Sequence, residues 1–293
     1  METLLKDIRY GARRLWKNPG FTIIAVLTLT LGIGANAAIF SVVNGVLLRP
    51  LPFKDPDRLM AIRETKLPEF PEFSVSPGNF LSWRSQNTSF ERMAAIQDMA
   101  FNMVSGGLPE RIRGAMVTDG FFPMLGVQPG LGRDFLAEED QPGHNQVVIV
   151  SYGFWQRRFG GDAGILKQSL NLNGRSYAVI GVLPASFKFG DNATELWSPM
   201  GFTAQDAEQH GGHYIGTIGR LKPGVSREQA QADLSRIAEH LAIQYPGSNA
   251  GWNAKVMTMI EATVKDIRSV LWVLLGAVGF VLLIACANVA NLL

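Results

Sequence analysis

Two long apolar runs without a single charge bracket this chain, and they constrain its fold more than any motif does. They cover residues 21–48 and residues 270–293. As helices of twenty-eight and twenty-four residues they would reach about 42 and about 36 Å. Both exceed the ~30 Å hydrocarbon core of a bilayer. The predicted architecture is an α+β extracytoplasmic domain flanked by two transmembrane α-helices.

Within the first run, TLTLGIGANAAIFSVVNGVLLRPLP (residues 28–52) admits three readings. Gly32, Gly34 and Ala37 fit G-x-G-x-x-A, with Asp55 or Asp57 about twenty residues on. A dinucleotide loop needs a short strand before it and an amphipathic helix after it. Here both flanks are apolar all round, and the acids sit in the turn KDPDRL. A secretory signal could cleave at Ala35-Asn36-Ala37, but the apolar run continues eleven residues past that triplet. A retained transmembrane helix fits best. Ala37, Ser41 and Gly45 repeat every fourth residue and share one face, with Gly34 beside it. Small residues at that spacing let another helix approach closely. Asn36 and Asn44 carry amides that need partners in lipid. In the second run Asn288 and Asn291, with Gly276 and Gly279, point the same way. The candidate helix-packing residues are therefore Gly34, Asn36, Ala37, Ser41, Asn44, Gly45, Asn288 and Asn291.

Residues 1–20 place Leu4, Leu5, Ile8, Ala12, Leu15 and Trp16 on one helical side, and Lys6, Arg9, Arg13 and Lys17 largely on the other. This predicts an interfacial amphipathic helix. Its basic excess places the N-terminus in the cytoplasm and residues 50–267 outside it. The second span, 270–293, then returns. The chain stops inside that apolar run with no basic residue after it, which reads as the N-terminal part of a longer protein.

The middle region is ordinary mixed sequence. The net charge of +2 gives no bulk attraction to nucleic acid. Cys286 is the only cysteine and lies in the second run, so no intramolecular disulfide supports the domain. Strands are predicted at residues 58–64, 110–117, 146–150, 213–225 and 254–261, and helices at 76–83, 118–126, 151–160 and 226–247. SLNLNGRSYAVIGVLP reads as a hairpin turning at Asn173-Gly174. Two or more β-α-β units with a hairpin insertion would fit this order.

No catalytic set emerges. His210-Gly-Gly-His213 has ligand-like spacing but reads as a solvated glycine-rich loop without a matching acid or cysteine. Glu138-Glu139-Asp140 reads as a polar turn. Walker A, G-x-S-x-G and H-E-x-x-H patterns are missing from the sequence. The expectation is a non-enzyme without cofactor, metal or catalytic residues.

DIRYGARRLWKNPGFTIIAVLTLTLGIGANAAIFSVVNGVLLRPLPF resembles the start of MacB/FtsX-type permeases, in particular the large duplicated permeases abundant in acidobacteria. SPGNFLSWRSQNTSFERMAA, PERIRGAMVTDGFFPMLGVQPGLGRDF, VVIVSYGFWQRRFGGD, LNGRSYAVIGVLP, GRLKPGVS and YPGSNAGW resemble the MacB-like periplasmic core domain. LLGAVGFVLLIACANVANLL resembles the first helix of the FtsX-like permease domain. The resemblance implies an inner-membrane permease component of an ATP-binding-cassette system, with the core domain periplasmic. It also implies the partners: further permease helices or a homodimer partner, a separate ATPase subunit, envelope proteins or an exported substrate, and the lipid bilayer. The rival reading is a non-transporting, membrane-tethered interaction or sensor module.

Overall fold

The computed structural model describes residues 16, 19–43, 51–105, 108–190 and 193–292. The chain divides into two compact units, Leu51–Ala262 and the pair Met1–Pro50 with Thr263–Leu293. The predicted helix over residues 1–20 falls almost wholly outside the described residues.

In the terminal unit, α1 (Pro19–Val43) is apolar along its whole length. Its stretch Thr22–Ser41, of mean hydropathy 2.1, is the one described helix that by itself is long and apolar enough to cross a membrane. The second run meets the same test only as a bent pair, Met259–Lys265 followed by Val270–Ile284.

The unit Leu51–Ala262 is built on one eleven-stranded mixed sheet. In chain order it contains β1 (Leu59–Lys66), β2 (Phe70–Phe73), α2 (Pro77–Gln86), β3 (Phe90–Ser105) and β4 (Leu108–Val117). Then come α3 (Phe121–Leu125), β5 (Leu131–Gly132), β6 (Val147–Val150), α4 (Tyr152–Phe159), β7 (Ser169–Leu172) and β8 (Arg175–Val182). β9 (Leu196–Pro199), α5 (Ala204–Ala207), β10 (Gly216–Leu221), α6 (Arg227–Gln244), α7 (Pro246–Asn249) and β11 (Asn253–Thr258) complete it. α8 (Met259–Leu292) follows β11 directly, so the strand expected over 254–261 stops at Thr258.

The strand order is β11-β1-β10-β3-β4-β9-β6-β8-β5, with β2 on β1, and β7 on β3 and β8. Most neighbours are antiparallel; β4 with β9 and β6 with β8 are parallel. The β6-α4-β8 segment is thus a β-α-β unit, and the β7–β8 hairpin is inserted into its return. Asn173 and Gly174 turn that hairpin with φ of 52° and 77°, the two left-handed positions a tight two-residue turn requires.

Apolar periodicity decides what each helix covers. Leu234, Ile237 and Leu241 of α6 share a core with Phe80 and Trp83 of α2 and with Met60, Ile62 and Val256 of the sheet. A second core gathers Phe121, Phe122 and Leu125 of α3 around Trp197. A third packs Phe154 of α4 on Val148, Val150 and Val179. Ser226 caps α6 reciprocally: its hydroxyl accepts from the Gln229 N–H, and the Gln229 side chain accepts from the Ser226 N–H.

Three features fix the ends of this unit. β1, which follows the arriving chain, and β11, which leads away, are hydrogen-bonded neighbours in register from Met60↔Thr258 to Thr65↔Asn253. At the arriving corner, the buried Arg220 donates to the carbonyl oxygens of Met124 at 2.8 Å and Lys54 at 2.5 Å. At the sheet's edge, Gln231 of α6 clasps β11: its amide donates to Ala254 O at 2.7 Å, and its oxygen accepts from Val256 N at 2.8 Å.

Candidate functional site

The terminal unit contains a helix–helix contact made by one of the predicted packing residues. The Asn36 side-chain amide donates to Gly32 O within its own helix at 2.9 Å and to Val278 O of α8 at 3.1 Å. Gly32 and Val43 are buried, and Asn36 and Ile39 are half-buried. These residues follow helical spacing, so the packed stripe of α1 is Gly32–Asn36–Ile39–Val43. It lies about 170° from the stripe of small residues marked in the sequence, nearly on the opposite side of the helix. Gly34, Ala37 and Ser41 are exposed in this chain. A side chain added at Gly34 would meet nothing, and the Ser41 hydroxyl donates back to Ala37 O at 2.8 Å. Asn44 and Gly45 lie outside the described residues, as do the side chains of Asn288 and Asn291.

In the sheet unit, the most unusual chemistry is a buried polar cluster at the start of α2. Glu64 of β1 is 1% exposed. Its Oε1 accepts from the Ser76 N–H at 3.2 Å, the Ser76 hydroxyl at 3.3 Å and the Asn79 amide at 2.8 Å. Its Oε2 meets His213 Nδ1 in an ion-pair contact. Ser76 precedes the first turn of α2, so the carboxylate also faces the positive end of the helix dipole. Asn79 exchanges amide hydrogen bonds with Asn249 at 2.8 and 3.2 Å. Its oxygen also lies 2.7 Å from His210 Nδ1. Because the Asn79 nitrogen is committed to Glu64 and Asn249, that oxygen is the acceptor and His210 Nδ1 carries the proton. Burial pushes the His210 pKa below the usual histidine value, with Glu208 and Glu64 opposing. The ring is neutral at pH 7.

The segment His210–His213 is therefore not the solvated loop its glycines suggested. Its two imidazoles close the cluster, and the acid that pairs with one of them comes from β1. Both rings are also stacked: His210 on Tyr245 at 3.8 Å, and His213 on Trp252 at 4.3 Å. Gly78 makes room for this, since a Cβ there would stand 2.8 Å from both the His210 ring and Ala207 O. Phe73 meets His213 edge-on, and Phe70 stacks on Trp252 at 5.6 Å. Phe70, Phe73 and Leu67 keep substantial exposure at this end of β1.

The space beside Glu64, Asn79 and Asn249 is about 10 Å³, on the scale of one water molecule and too small for a substrate. Among the described residues no group of three or more histidine, cysteine or acidic side chains could hold a metal ion. Two acids of the turn at 138–140 have structural partners. Glu139 accepts from both terminal nitrogens of Arg133, and Asp140 accepts from the Asp119 and Gly201 N–H groups.

Residues 22–237 match the model of the MacB-like periplasmic core domain, which is most of the chain. The chain belongs to that family. Solved structures share the fold. A domain assigned to a permease protein from Porphyromonas gingivalis superposes with a TM-score of 0.56 at 17% identity, covering 71% of this chain and 92% of that one. The periplasmic region of MacB from Actinobacillus actinomycetemcomitans gives a TM-score of 0.51 at 18% identity, covering 78% and 98%. No curated protein sequence matches the chain. As a MacB-like core domain, the unit Leu51–Ala262 is the extracytoplasmic part of a permease-family membrane protein, and α1 is consistent with its anchor.

Proposed function

We propose that this chain is a permease component of a MacB/FtsX-type ATP-binding-cassette system. In this reading α1 and the apolar part of α8 both cross the inner membrane. They pack on further permease helices or on a second copy, and a separate ATPase subunit drives them. The core domain relays that movement, or presents a surface to an exported substrate or an envelope protein. The chain itself catalyses no reaction.

The observation that carries the relay is the pairing of β1 with β11. These strands connect to the two apolar helices, so displacement of either helix reaches the sheet at one place. Asn36 supports the helix bundle, because an amide that bonds a carbonyl of another helix is satisfied in lipid only by staying packed. Topology gives the direct test, with alkaline phosphatase fused after Gly190 or after Gly20 of the full-length protein. Activity at Gly190 alone is expected. Activity at Gly20 alone would overturn the assignment.

A further inference from the structure

An open groove of about 250 Å³ is lined by Arg84, Asn87, Phe90, Glu91, Arg92, Met93 and Asp119. Each carboxylate around it already has a cation. Glu91 is held by Arg58 at 2.6 Å, and Asp119 by Arg84 at 2.5 Å. Asp55 lies 3.5 Å from Arg58 and 3.8 Å from Arg220. Among the described residues, Arg92 has no hydrogen-bond acceptor and no ion-pair partner.

Arg92 stands at a position the fold does not favour. In the β3–β10 pairing it lies directly opposite Arg220, whose guanidinium is buried. Like charges opposite one another on antiparallel strands are destabilising. The Arg92 side chain is nevertheless directed over Gly120, where its Nη1 lies 2.7 Å from the point a Cβ would occupy. Gly120 has φ of +76°, so this corner disfavours any other residue and leaves that space to the guanidinium. Arg84 and Arg92 therefore converge on the dipeptide Asp119–Gly120 from two elements.

We propose that this groove binds a phosphate group, with Arg92 as its principal donor and Arg84 as the second. A guanidinium presents a planar fork of N–H donors that matches phosphate oxygens. A doubly charged tetrahedral anion can bridge the two forks and compete with Asp119 for Arg84, which a single carboxylate does less well. Free phosphate and the phosphate of a lipid headgroup share this chemistry, and the test below separates them. The site rests on this geometry and not on the transport reading above.

The test uses the full-length protein in phosphatidylcholine nanodiscs. Inorganic phosphate replaces chloride at constant ionic strength, and binding is followed by calorimetry and by ³¹P line broadening. Saturable binding is expected, weakened about tenfold in R92Q. It should be unchanged in R175Q, which removes an exposed arginine of the β7–β8 hairpin. Near-identical melting curves for R92Q and the parent show that the variant is folded. Discs containing phosphatidylglycerol separate the sources. Loss of the phosphate titration in those discs for the parent identifies the headgroup as occupant, and an unchanged titration identifies free phosphate. Absence of saturable binding, or equal binding by R92Q and the parent, would overturn the site.

Discussion

Replacing Glu64 by leucine removes the acceptor at the centre of the buried cluster while keeping similar bulk. The Ser76 N–H, one Asn79 N–H and His213 Nδ1 each lose their partner. A buried donor left without a partner costs about 1–3 kcal/mol. The terms share atoms, so they do not add. We expect a loss of about 4 kcal/mol. For a unit the size of Leu51–Ala262, each kcal/mol moves the melting temperature by about 2–4 °C, so the shift is about 8–16 °C. Glu64→Gln keeps an oxygen for Ser76 and Asn79 and loses only the charge, so it should lose about half as much. The full-length protein can be melted in detergent, with Trp252 fluorescence as reporter because that ring stacks on His213. The double variant E64L/H213L should cost clearly less than the two single losses together. If E64L melts within a degree or two of the parent, or if the two losses simply add, the carboxylate is not held as described.

Three further outcomes follow from named contacts. His210 has a folded pKa pushed below its unfolded value by burial. The stability it contributes is present above about pH 6.5 and is lost as pH falls through the depressed folded value, so urea midpoints should drop on acidification more steeply in the parent than in His210→Gln. Gln231→Ala strips the side chain that occupies Ala254 O and Val256 N on β11. It should cost about 1–2 kcal/mol in denaturant titrations and raise self-association in light scattering, since an uncovered edge strand pairs readily. Asn36→Leu removes the bond to Val278 O and should weaken α1–α8 association by up to about 1.7 kcal/mol, read as reduced cysteine cross-linking between the helices in membranes.

Elements with one clean period were legible in the sequence. Residues 226–247 carried a capping serine and one apolar stripe, and α6 occupies Arg227–Gln244. Asn173-Gly174 announced its hairpin, and VVIV its buried strand. β3 was missed because apolar residues stand on both of its faces. Met93, Ala94 and Ala95 are all buried, Met93 and Ala95 in one core and Ala94 in another, which erases the alternation. The polar cluster was illegible for a different reason. Glu64 reads as the solvated end of a strand, and His210-Gly-Gly-His213 reads as a flexible loop. Only the fold brings them together around Asn79, and no local spacing encodes that meeting. In α1 the described contact with α8 runs through Asn36, one of the predicted packing residues, while Gly34, Ala37 and Ser41 are exposed in this chain.

The neighbouring position of β1 and β11 has a mechanical consequence. Antiparallel strands tethered from the same end can be loaded in two ways. Tethers that separate sideways peel the ladder apart one hydrogen bond at a time, beginning beside Met60 and Thr258. Tethers that move together load no single bond and carry the whole sheet as a rigid body. The first mode yields at low force, and the second transmits force without deformation. The Gln231 clasp raises the force needed for peeling, because its two bonds tie β11 to α6 independently of β1. Under the relay proposed above, a domain hung in this way would act as a stiff lever when its helices move in concert and as a mechanical fuse when they are driven apart.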